Sequence, residues 1–94
     1  MVEYLYNAIR ATSATDLEIC AKVSDEQGNP ITEGVRFELS LFHSNLLSID
    51  GEYRDGVWYF TIPAEKIINL KGKYEYCIKH NDEQLCFMQP IYLV

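Results

Sequence analysis

Two histidines and three cysteines are the residues of this 94-residue chain that could carry nucleophilic or metal chemistry. Hydrolysis or group transfer needs a nucleophile, a base and an orienting group brought together. His43 and His80 both fall at predicted loop ends, where a solvated imidazole is the expected role. The sequence therefore predicts no catalytic residues and a protein that is not an enzyme.

The cysteines, Cys20, Cys77 and Cys86, lack the close Cys-x₂-Cys spacing of zinc sites, so neither a metal site nor a cofactor is predicted. If Asn81-Asp82 is the two-residue loop of the last hairpin, Cys77 and Cys86 become cross-strand neighbours that could form a disulfide. An odd number of cysteines without a secretory leader favours thiols over that disulfide.

Acidic residues outnumber basic ones by fourteen to eight, which leaves a formal net charge of −6. The neighbouring carboxylates of Asp25-Glu26 and Asp82-Glu83 lie in predicted turns and lack the graded spacing of a calcium loop. Nucleic-acid binding needs lysine and arginine clustered on one face, and here they are spread along the chain. We expect no nucleic-acid partner.

The N-terminal segment Met1–Tyr6 has neither the basic start nor the apolar run of a signal peptide. No apolar stretch approaches the roughly 20 residues of a membrane helix. The sequence therefore predicts neither secretion nor a membrane partner.

Short alternating runs separated by turn residues indicate an all-β fold. Within 17–23, Leu17 and Ile19 share one face, and the polar turn 25–30 then reverses the chain. The run 35–41 alternates in the same way and reads as an interior strand. Its polar members are expected to point outward: Arg36, Glu38 and Ser40.

Asp55-Gly56 is a strong hairpin signal, and a two-residue loop there sets Tyr53 opposite Trp58. Trp58 shares its face with Phe60 and Ile62, which predicts a core strand. Pro63 ends this strand and can start a short helix over 64–69 that crosses between sheets.

Gly72 permits a sharp corner before the next strand, from which Tyr74 points its ring into the core. These two residues are the predicted structural corner.

The last hairpin follows, and its loop sets Ile78 opposite Leu85 and Tyr76 opposite Phe87. The final strand is then predicted over 85–94.

Seven or eight strands with one short corner helix fit an immunoglobulin-like antiparallel β-sandwich better than a closed barrel. A chain of this size has room for one core, so residues 1–94 are predicted to form a single domain.

The first and last strands carry apolar residues on both faces, and only one face of each can fill the core. Aromatic residues and methionine are enriched at protein interfaces, which favours an interface with another protein or with a second copy in a homo-oligomer. The alternative is a small domain that simply exposes some tyrosine. The predicted interface residues are Tyr4, Tyr6, Met88 and Tyr92.

Two segments of the chain have a familiar form. The first is 23–31, with its Gly28-Asn29-Pro30 turn, followed by 35–39. The second is the run 72–76 with the hairpin after it. Together they resemble the small immunoglobulin-like domains of tailed phages and prophages, and the N-terminal domain of baseplate upper proteins is the nearest comparison.

The resemblance implies a non-catalytic structural role in a virion, as a baseplate, tail or capsid-decoration component that binds other phage structural proteins. It also implies localisation in the virion, or in the bacterial cytoplasm before assembly. The alternative function is a carbohydrate-binding or adhesion module that stacks exposed aromatic rings on sugars. Trp58 argues against this alternative, because its strand position is that of a core residue.

Overall fold

The computed structural model describes residues 2–5, 8–12, 14–42, 44–81, 83–85 and 88–94, with the backbone alone for 2–5 and 8. Within these ranges the chain is all-β, as predicted, with ten strands and one short helix. The strands are β1 (Val2–Leu5), β2 (Ala8–Ala11), β3 (Leu17–Ala21), β4 (Val35–Leu41), β5 (Ser44–Asp50), β6 (Glu52–Arg54), β7 (Val57–Ile62), β8 (Gly72–His80), β9 (Glu83–Gln84) and β10 (Gln89–Leu93). The helix, α1 (Ala64–Ile67), lies between β7 and β8.

The strands form two sheets. The larger has the order β1-β2-β10-β8-β4-β5, with β9 paired to β8, and the smaller has the order β3-β7-β6. The first and last segments of the chain lie together, as expected, because β2 runs parallel to β10 with Ile9 opposite Ile91. Seven or eight strands were expected. The additional ones arise because the first run divides into β1 and β2, and because the short strand β9 forms before the predicted final strand.

The core lies between the two sheets and follows the predicted alternation. Phe37 on β4 and Phe60 on β7 bring their ring centroids to 5.9 Å and so connect the sheets. Tyr53 is opposite Trp58, as predicted from the Asp55-Gly56 turn. The buried apolar residues of this core are Ile9, Ala11, Leu17, Ile19, Val35, Phe37, Leu39, Trp58, Phe60, Ile62, Ile67, Ile91 and Leu93.

One residue, Gly51, carries the chain from the larger sheet to the smaller one between β5 and β6. Its N–H donates to the carbonyl of Val35 at 2.9 Å. A Cβ at this position would lie 2.5 Å from Cε3 of Trp58 and 2.7 Å from Cε1 of Phe60. Glycine is therefore required because the core aromatic rings occupy the space of a side chain.

The helix α1 returns the chain from the smaller sheet to the larger one, as predicted, although it ends at Ile67 rather than at Asn69. Its first N–H, that of Ala64, donates to the carboxylate of Asp16 at 2.7 Å. A residue distant in sequence thus satisfies one of the backbone donors that a helix start leaves unpaired.

The last hairpin begins in the predicted register and then departs from it. The N–H of Leu85 donates to the carbonyl of Ile78 at 2.9 Å, as expected. Tyr76, however, is opposite Gln89, so its predicted pairing with Phe87 is wrong. The chain leaves the ladder after β9 and rejoins it two residues later than expected, as β10.

Side chains alternate with a period of two along a strand, so this two-residue shift keeps the β10 residues on their predicted faces. Phe87 and Cys86 lie outside the described residues. The pairing of Cys77 with Cys86, as thiols or as a disulfide, therefore stays a prediction.

Candidate functional site

Tyr92 is the predicted interface residue that the structure describes as exposed, with 38% of its surface accessible. Its neighbours Ile91 and Leu93 are buried in the core, so Tyr92 lies on the outer face of the larger sheet. Met88 is half-buried. For Tyr4 only the backbone is described, and Tyr6 lies outside the described residues.

Tyr92 is directly opposite Lys73 on β8. On its other side, β8 pairs with β4 in antiparallel fashion, with Glu75 opposite Ser40. Two residues further along, the same register brings Lys73 beside Phe42, the residue that follows β4. Both line an open hollow of about 490 Å³, together with Leu41, Tyr74 and Glu75. We call Phe42, Lys73, Glu75 and Tyr92 the sheet-end patch.

Phe42 is the most exposed large apolar residue among those described, at 85%. Its φ is +50°, in the left-handed region that bulky residues rarely adopt. Among the described residues, the other non-glycine ones with positive φ are Asp55 and Asn81, types that tolerate this conformation. An exposed phenylalanine has no packing against the core to offset the strain of its backbone. Residues with strained backbones cluster at functional sites.

The sequence interpretation did not include Phe42. The available signal was its position, because it follows the alternating run 35–41 at a hairpin turn, where asparagine or glycine would be expected. Further apolar residues exposed elsewhere on the described surface are Leu46, Ile68 and Val94.

A polar cluster around Glu38 lies further along the same outer face. Glu38 accepts a hydrogen bond from Nε of Arg36 at 2.9 Å, and Nζ of Lys79 lies 3.1 Å from its second oxygen. Desolvation by burial opposes ionisation of Glu38, but the hydrogen bonds and charges of Arg36 and Lys79 outweigh it and lower the pKa of the carboxyl group from its ordinary value of 4.5. This geometry keeps Glu38 ionised and paired.

Glu38 and Ser40 point away from the core, as predicted. They are nevertheless buried, since only 6% and 4% of their surfaces are accessible. Gln84 and Met88, from the chain that leaves β8, line the same 320 Å³ hollow and help to enclose them. The sequence interpretation missed this cover because it expected the final segment to stay in the ladder.

The other residues that the sequence singled out are parts of the core, the corner or a strand end. Trp58 is buried, as expected, and its Nε1–H donates to the carbonyl of Ile31 at 2.7 Å. Gly72 begins β8 at a φ of +107°, and Tyr74 packs half-buried against the core. His80, the last residue of β8, is half-buried.

Three further expectations concern the other histidine, the turn carboxylates and the cysteines. His43 lies outside the described residues. The carboxylate of Asp25 accepts hydrogen bonds from the N–H groups of Gln27 and Asn29 within its own turn, which is a structural role. Cys20 is exposed on the outer face of β3, as its parity predicted, and Cys77 is buried opposite Glu38.

The described part of the chain contains neither a cluster of metal ligands nor a helix that could span a membrane. No group of three or more His, Cys, Asp or Glu residues in it could hold a metal ion. Its helical segment is also too short and too polar to cross a bilayer.

Comparisons with known proteins gave no match, whether to a family model, to a curated protein or to a solved structure.

Proposed function

We propose that the protein is a non-catalytic structural or assembly component of a tailed phage or prophage virion, in the baseplate, the tail or the capsid decoration. It acts by binding other virion proteins or itself, and takes no cofactor and no nucleic-acid or membrane partner. Its two packed sheets, with a helix crossing between them, are an elaborated form of the immunoglobulin-like sandwich.

The observation that carries this proposal is the exposure of two aromatic residues on either side of Lys73: Phe42, which lines the same hollow as Lys73, and Tyr92, which is opposite Lys73 in the larger sheet. An aromatic ring accessible over 85% of its surface is costly in water, and contact with another protein removes that cost. Tyrosine and phenylalanine are also enriched at protein interfaces.

The charged groups around Glu38, which lines the 320 Å³ hollow, support a role without catalysis. Glu38 is ionised and paired with two cations, so it lacks the raised pKa of a general acid. The carbohydrate-binding alternative has less support, because the indole of Trp58 is buried and its N–H is already bonded to Ile31.

The test is whether the chain is incorporated into particles. Particles induced from the host that carries the gene are purified on a density gradient, and peptides of this chain are quantified against those of the major structural proteins. We expect the chain at a fixed ratio to those proteins. Its absence from intact particles, or its removal by a salt wash, would contradict the proposal.

Two variants connect incorporation with the sheet-end patch. Phe42→Asp is expected to reduce incorporation because it puts a charge at the centre of the contact. Ile68→Asp, at a residue 51% exposed just after α1, is the matched control and should leave incorporation unchanged.

A further inference from the structure

We propose that the sheet-end patch binds a second copy of this chain across a two-fold axis, with Phe42 of each copy seated in the hollow of the other. This inference rests on the proposed function and names the partner of its contact surface. A two-fold contact uses the same residues on both copies, so every group in it must be complementary to the patch itself.

The shape of the patch meets this requirement because it contains a projection and a hollow side by side. Phe42 projects from the end of the β4–β5 hairpin, with most of its ring in solvent. The hollow beside it measures about 490 Å³, and Leu41 and Tyr74 supply apolar walls. A cavity of roughly 150 Å³ already holds a benzene ring, so the hollow has room for the partner's Phe42.

The charges of the patch are self-complementary as well. Lys73 and Glu75 lie two residues apart on β8, on the same face, and both border the hollow. A two-fold axis between them sets Lys73 of one copy against the partner's Glu75, and the reverse. Two favourable pairs form in this way without placing like charges together, even though each chain carries a net charge of −6.

The size of the patch predicts a weak and reversible dimer. A stable interface of standard size involves roughly 20–30 residues on each side, whereas the sheet-end patch consists of four. Association is therefore expected to be concentration-dependent, and it would be strengthened where many copies are held close together in an assembly.

The first experiment is sedimentation velocity of the full chain over about a hundredfold range of concentration. We expect the mass to rise from 10.9 kDa toward twice that value. Phe42→Asn is expected to weaken association by at least about tenfold, because it removes the aromatic ring at the centre of the contact. Ile68→Asn, an equally polar change at another exposed apolar residue, is the control and should not alter it.

The second experiment tests the two-fold arrangement through charge. Lys73→Glu alone and Glu75→Lys alone each set like charges against each other in a dimer, and each is expected to weaken association by about fivefold. An equimolar mixture of the two variants restores opposite charges at both contacts, so dimers should reappear. A contact within one chain cannot produce this recovery, since each chain still carries its own like pair.

Thermal unfolding of every variant shows that the fold is intact. The proposal is overturned if the wild type stays monomeric at the highest concentration, if Phe42→Asn associates as strongly as the wild type, or if the mixture of charge variants stays monomeric. Incorporation into particles is measured separately. A monomeric chain that is still incorporated through Phe42 would contradict this inference and leave the proposed function standing.

Discussion

At the scale of single residues, Glu38 combines a buried position with an ionised side chain. Arg36 and Lys79 lie on either side of its carboxylate, and both keep about a quarter of their own side-chain surface in solvent. The cations thus stay partly hydrated while the carboxylate does not. The ionised form of Glu38 therefore depends on the two cations for its stabilisation. The free energy of unfolding in turn depends on whether Glu38 is charged.

Glu38→Gln is expected to lower the free energy of unfolding near neutral pH by about 1–2 kcal/mol, because the cations lose their partner. The folded-state pKa of Glu38 lies below its ordinary value of 4.5. The stabilisation is therefore present above that value and is lost as the pH falls through the folded-state pKa.

Urea unfolding of the wild type and of Glu38→Gln between about pH 3 and about pH 7 measures this difference, which should shrink toward acid pH. Glu65→Gln, an exposed helix residue, is the control and should track the wild type. A constant difference between wild type and Glu38→Gln at all pH values would disprove the role of ionisation.

Phe42 is expected to destabilise the isolated chain. Asn tolerates the left-handed backbone, so Phe42→Asn should raise the free energy of unfolding by about 1 kcal/mol and the midpoint of thermal unfolding by several degrees. Leu46→Asn replaces an exposed apolar residue in an ordinary strand conformation and should give no such gain. A Phe42→Asn variant less stable than the wild type would show that the ring contributes to the fold.

At the scale of elements, the joint between β5 and β6 depends on one residue without a side chain. Gly51→Ala is expected to lower the free energy of unfolding by about 1–3 kcal/mol, because the added methyl group displaces Trp58 and Phe60. The near-ultraviolet circular dichroism of Trp58 should change with it. At Gly28 an added Cβ meets nothing within 4 Å, but the φ of +85° strains any side chain. Gly28→Ala should therefore destabilise its turn and leave the spectrum of Trp58 unchanged.

The sequence was sufficient for the elements whose side chains alternate between core and solvent. The pairing of Tyr53 with Trp58 followed from one turn, and the buried faces of β3, β4 and β7 followed from parity. The register of β10 could not be predicted from the sequence. A shift of two residues leaves the side chains on the same faces, and no local sequence signal marks it.

The candidate site was less accessible to prediction. Tyr92 was found because apolar residues on both faces of a strand stand out in sequence. Phe42 was missed because its exposure and positive φ depend on the turn geometry that the paired strands impose. The burial of Glu38 was missed because it depends on a segment that is distant in sequence.

At the scale of the whole molecule, the two sheets share one core and should unfold together. Denaturation followed by Trp58 fluorescence reports on the smaller sheet, and far-ultraviolet circular dichroism reports mainly on the larger. We expect the two transitions to coincide. Phe60→Leu, at the contact with Phe37, should shift both by the same amount, and separate transitions would contradict a single domain.

The parallel pairing of β2 with β10 has a consequence for the time course of folding. Ile9 and Ile91 are separated by most of the chain, so their contact closes a very long loop. The entropy cost of closing that loop slows folding. Until β2 arrives, one edge of β10 presents unpaired backbone groups that another chain can bind. Refolding at high concentration is therefore the stage at which this protein is most exposed to aggregation.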